Sequence, residues 1–107
     1  MPLINLEYDN ASVSDAEAEA ISKSVRDIVS ETTGIADVFV YANTARVKIQ
    51  IAPIEIFLRM TGKKIQNRKE LVSAIKKKLT LWKSENNFKH PINLTLIPMD
   101  WNVEIGI

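Results

Sequence analysis

The sequence contains no cysteine. That excludes disulfides, thiolate nucleophiles and cysteine-based zinc sites. It has a single histidine, His90, set before Pro91 in a polar stretch with no second imidazole near it. A metal site needs several convergent ligands, so no metal is expected. Charge of one sign is also lacking: 14 Lys and Arg face 13 Asp and Glu, a formal net charge of +1. A dedicated nucleic-acid binder carries a much stronger basic footprint, so no nucleic-acid partner is expected. No apolar run approaches the roughly 20 residues of a membrane span, and no basic-then-apolar leader precedes the first strand pattern. The expectation is a soluble, cytoplasmic protein with no membrane partner.

What is present is ordinary globular composition. The chain has 107 residues, 46% hydrophobic and 25% charged. That is enough for one domain with one core, and residues 1–107 are read as a single domain. PLINLEY (2–8) alternates with period two and predicts a strand. Ser14-Asp-Ala-Glu17 has capping-box spacing. After it Ala18, Ile21, Val25, Ile28 and Val29 fall on one helical face, and Gly34 ends the helix. DVFVYAN (37–43) predicts the next strand, and ARVKIQI (45–51) alternates in the same way. PIEIFLRM, from Pro53, predicts another strand. Asn67-Arg-Lys-Glu70 repeats the capping spacing, and Leu71, Val72, Ile75, Leu79 and Trp82 line a second helical face. INLTLIPM reads as a strand, and the tail WNVEIGI as a segment able to pair with another strand.

The two halves, 2–51 and 53–107, each read strand, helix, strand and each begin with proline. A helix between strands permits a right-handed parallel crossover. Two such units give an α/β fold: a four-stranded mixed sheet with two helices on one face. VFVY, IEIFL and LTLI are apolar at nearly every position, the pattern of strands buried on both sides. No third layer remains to cover the second face, so other copies of the chain are expected to complete the sheet.

Met1-Pro2 followed by a strand, the paired halves, SDAEAEAISKSVRDIVSETTG, KKIQNRKELVSAIKKKL, and APIEIFLRMTGK through LTLIPM together resemble the tautomerase superfamily. Its members include macrophage migration inhibitory factor and 4-oxalocrotonate tautomerase. The last of those stretches is most similar to an uncharacterised bacterial branch. The resemblance covers nearly the whole chain and implies a homotrimer with the active site between subunits. It implies a tautomerase or isomerase that needs no cofactor and acts on a small keto or enol carboxylate. It makes Pro2 the catalytic residue. A small second residue generally lets Met1 be removed, leaving a free prolyl amine that shuttles a proton between carbon and oxygen. An α-amino group titrates near ~7.7–8.0, and burial or nearby cations shift it toward the neutral base. With Met1 attached, the Pro2 nitrogen is an amide and has no basic lone pair.

The family's own anion-holding groups are absent from their usual places. Val13 and Phe39 stand where the 4-oxalocrotonate branch has arginines, and Ile35 follows Gly34 where the inhibitory factor has lysine. Arg46 and Lys48 are the candidate substitutes: one residue apart, they share a face if the segment is a strand. The competing reading makes them solvent-facing guards of an edge strand. Thr95 is the candidate second-half wall or hydrogen-bonding residue. Arg59, Lys63 and Lys64 cluster before the second helix and read as either an anion site or a solvated loop. Lys76-Lys77-Lys78 read as a solvated helix face, and Trp101 as an interface aromatic. Two functions stand: the proline-based isomerase, and a non-catalytic trimeric binding or interaction protein of the same fold with a degenerate site.

Overall fold

A computed structural model describes residues 1–107. The order is β1 (Leu3–Tyr8), α1 (Asp15–Thr33), β2 (Phe39–Asn43), β3 (Ile54–Thr61), α2 (Arg68–Glu85) and β4 (Asn93–Met99), with a single 3₁₀ turn at Gly62–Lys64. The four strands form one mixed sheet in the order β2-β1-β3-β4. β1 and β2 run parallel, as do β3 and β4, while β1 and β3 are antiparallel. The two β-α-β units therefore meet along β1 and β3 at the centre.

Helix α1 starts where its capping box lies. The Ser14 hydroxyl accepts from the Glu17 N–H at 3.1 Å, and the Glu17 carboxylate accepts from the Ser14 N–H at 3.0 Å. Two of the donors that every helix N-terminus leaves free are thereby satisfied. Gly34 ends it at φ 73°, a left-handed conformation that favours glycine. Its buried face is Ala18, Ile21, Val25, Ile28 and Val29. At α2, Asn67 caps the Glu70 N–H at 3.1 Å, without the reciprocal bond from Glu70. Ile75 and Leu79 are buried, with Leu71 and Trp82 packed against the core.

The core lies between the helices and one sheet face. Ile4 and Leu6 of β1 and Ile54, Ile56, Leu58 and Met60 of β3 are all at most 1% exposed. Their partners at alternate positions form the other face, which the chain approaches only at its two ends, with residues 45–52 near Glu7, Glu55 and Phe57 and Trp101 at Thr61. The register sets three rows across that open face: Phe39–Leu3–Arg59–Ile97, Tyr41–Asn5–Phe57–Thr95, and Asn43–Glu7–Glu55–Asn93. This corrects the reading of strands apolar on both sides. The open face mixes apolar and aromatic groups with Asn5, Arg59 and two facing glutamates.

A second correction concerns residues 45–51. They form no strand. Their period-two alternation is real, but both neighbours of β1 are already in place, and the segment finds no partner within the protomer. Val47 is 79% and Ile49 94% exposed as a result. The tail 101–107 is likewise unpaired, with Ile105 80% exposed. No helix is long and apolar enough to cross a membrane.

Candidate active site

Pro2 immediately precedes β1, a central strand, and is less than 2% exposed. Its carbonyl accepts from the Phe39 N–H at 3.2 Å, which ties it to the start of β2. On the other side Leu3 faces Arg59, so the end of β3 flanks the same place. The Trp101 indole N–H donates to the Thr61 hydroxyl at 2.8 Å and draws the start of the tail onto this end of β3. Pro2 is thus flanked by the start of β2 on one side and the end of β3 on the other. Five surface cavities of about 380 to 630 Å³ lie elsewhere on the protomer, and Pro2 lines none of them.

Arg46 and Lys48 lie elsewhere. The Lys48 ammonium is 3.0 Å from the Asp9 carboxylate and also donates to the Asn10 side chain. Asp9 follows the far end of β1, so six strand residues, about 20 Å at ~3.3 Å each, separate this pair from Pro2 in one protomer. Both side chains are three-quarters or more shielded, at 25% and 20% exposure. Lys48 holds the Asp9 carboxyl below its ordinary value of 3.8, aided by the Ala11 N–H. Its charge is therefore already answered. Arg46 is exposed and has no acidic partner. Since 45–51 is not a strand, the two cations do not share a strand face. Thr95 is exposed on β4, opposite Phe57. A single protomer does not gather Pro2, Arg46, Lys48 and Thr95 into one pocket.

A cavity of about 450 Å³ lies where the 45–52 segment crosses the open face, lined by Glu7, Tyr8, Gln50, Ile51, Glu55 and Phe57. Two carboxylates on directly opposed positions make it hostile to an anion. Val13 is buried in the core, and Ile35 packs against it, so neither position offers a charge. His90 bonds the Glu17 carboxylate at 2.8 Å, and no group of three or more potential ligands is positioned for a metal. Glu17 is held below its ordinary value first by the Ser14 N–H and then by His90.

Arg59 sits within β3, not in the loop that precedes α2. The alternation Ile54, Ile56, Leu58, Met60 inward and Glu55, Phe57, Arg59 outward is written in the sequence and places it on the open face. Its guanidinium donates to the Asn5 side-chain oxygen and lies over the Phe57 ring, 5.7 Å from the centroid.

Solved structures share this fold. A 5-carboxymethyl-2-hydroxymuconate delta-isomerase matches with TM-score 0.66 and 14% identity over 99% of this chain and 89% of that one. A malonate semialdehyde decarboxylase matches with TM-score 0.62 and 13% identity, covering 98% and 92%. Macrophage migration inhibitory factor of Toxoplasma gondii matches with TM-score 0.57 and 16% identity, covering 98% and 96%. The fold is that of the tautomerase superfamily. No family model matches the sequence, and no curated protein does either. At these identities the tautomerase fold is shared while the side chains are not.

Proposed function

We propose that the protein is a cytoplasmic, homotrimeric isomerase that moves a proton between carbon and oxygen of a small keto or enol carboxylate. The base is the prolyl amine of Pro2, free once Met1 is removed. The neutral amine takes a proton from the carbon beside the carbonyl and returns it to oxygen, so that keto and enol interconvert with no net gain or loss of atoms. The observation that carries this reading is the placement of Pro2: buried, at the head of a central strand, with Phe39 and Arg59 across from the residue beside it. Burial disfavours the charged amine, which is the direction a general base requires.

The oligomer is supported by what the protomer leaves open. Most of one sheet face is uncovered, β2 is an edge strand with no charge or proline to guard it, and Val47, Ile49 and Ile105 stand in solvent. In a closed trimer a neighbour would cover them. Arg46 and Thr95, remote from Pro2 within one chain, would reach a site only across such a boundary. Lys48 would do so only by leaving Asp9.

Two measurements test the reading. Intact mass of protein from its own cells is expected to lack one methionine. Enol–keto conversion of phenylpyruvate is expected in the wild type and to fall by about 100-fold or more in Pro2→Ala, the scale of general-base catalysis. Retention of Met1, or full activity in Pro2→Ala, overturns the proposal.

A further inference from the structure

We infer that residues 45–52 form a strap latched over one end of the open sheet face by Lys48, and that unlatching it uncovers the cavity at Glu7, Glu55 and Phe57. The strap runs from the end of β2 to the start of β3, past the last residues of β1. β2 and β3 flank β1, so those ends stand about 10 Å apart, two strand spacings of ~4.8 Å. Eight extended residues reach about 26 Å at ~3.3 Å each, so the strap has slack. Residues 45–52 take part in no main-chain hydrogen bond. Val47 and Ile49 point into solvent, so little apolar burial holds the segment down. Gln50 and Ile51 of the strap and Glu7, Glu55 and Phe57 of the sheet line one cavity of about 450 Å³. That is room, not the close packing of an interior.

One side chain does the holding. The Lys48 ammonium donates to the Asp9 carboxylate at 3.0 Å and to the Asn10 side-chain oxygen. Arg46, the other cation of the strap, is exposed and in none of the ion pairs. The catch is firm where the strap is soft. The Asp9 carboxylate also accepts from the Ala11 N–H at 3.0 Å, and the Asp9 carbonyl accepts from the Val13 N–H at 2.8 Å. Val13 is buried in the core, which ties this turn to the body of the protein. The carboxylate therefore keeps its place whether or not Lys48 is on it. A segment with few buried contacts and a single anchor belongs to the low-stability end of a fold's local openings. Latched, the strap screens Phe57 and the facing glutamates. Unlatched, it leaves them open and frees a segment with the alternation of a strand.

The latch lies within one protomer and rests on neither the prolyl amine nor the trimer. Its test is NMR relaxation on the full chain: wild type, Lys48→Met, Asp9→Asn, both together, and Arg46→Ala. In the wild type, backbone order parameters over 45–52 are expected near the ~0.85 of rigid backbone. In Lys48→Met and in Asp9→Asn they should fall below ~0.6, while β1, β3 and α1 keep theirs. A neutral soluble paramagnetic agent should then broaden the Phe57 ring signals more than in the wild type. Trypsin cleavage after Arg46, read by mass, should quicken about fivefold or more in Lys48→Met, the weight of a charge-assisted hydrogen bond. Asp9→Asn should match it, and the two changes together should add nothing further, since they remove one contact. Arg46→Ala should leave the order parameters as in the wild type. A strap already loose in the wild type, one equally rigid in Lys48→Met, or one loosened as much by Arg46→Ala each overturns the inference. Loosening by Lys48→Met in a protein that is monomeric by light scattering would leave it standing and remove the trimer instead.

Discussion

At the scale of single residues, the most informative side chain is Lys48. Spacing alone makes it a partner for Arg46, but the fold gives it to Asp9 at 3.0 Å, thirty-nine residues away in sequence. The pairing has a measurable sign. The Asp9 carboxyl is held below 3.8 by the Lys48 ammonium and then by the Ala11 N–H. A carboxyl lowered in the folded state adds stability at pH above its ordinary value, and loses it as pH falls through the lowered one. In Lys48→Met the Asp9 pKa, followed by NMR titration, is expected to rise toward 3.8; an unchanged value would show that the Ala11 N–H alone sets it. The α1 cap makes a second residue-scale test. Ser14→Ala removes the acceptor for the Glu17 N–H and is expected to cost about 1 kcal/mol in denaturant unfolding. No change would mean that water replaces the hydroxyl at no cost.

At the scale of elements, helices were fully legible and strands were legible as faces rather than as partners. The five buried residues of α1 follow directly from the 3.6-residue period, because a helix satisfies its own backbone and needs only a side to bury. A strand pattern states which side chains share a face, but its hydrogen-bond partner lies elsewhere in the chain or outside it. Segment 45–51 has the period of a strand and no partner in the protomer. Arg59 shows the same limit: it falls inside the strand that PIEIFLRM predicts, but grouping it with Lys63 and Lys64 by proximity in sequence hides that it stands on the open face. The proposed trimer gives the exposed segment a use. Ile49, 94% exposed, contributes nothing to the protomer core. Ile49→Lys is expected to leave the circular dichroism unchanged while converting the oligomer to monomer in light scattering. An undisturbed oligomer in that variant would place the seam on other surfaces.

At the scale of the whole molecule, the question is whether the protomer is complete. Only 17 of its 107 residues are buried, all of them on the helix side of the sheet or in the loops that close it. The open face carries aromatic and aliphatic groups on β2, β3 and β4, and nothing in the chain lies over most of it. If copies of the chain complete the sheet, folding is coupled to association, and apparent stability must depend on protein concentration by mass action. The melting temperature of the wild type is therefore expected to rise as concentration is raised over two decades. A core truncation separates this from the protomer's own stability. Leu58→Ala, fully buried between sheet and helices, should cost about 2–5 kcal/mol through lost contacts and the cavity left behind. It should lower the melting temperature at every concentration and keep the slope. Ile49→Lys should instead flatten the slope. A wild-type melting temperature independent of concentration would mean that the polar groups on the open face, Asn5, Glu7, Glu55 and Arg59 among them, suffice to keep it in water. The trimer would then have to be abandoned together with every site that needs a neighbour.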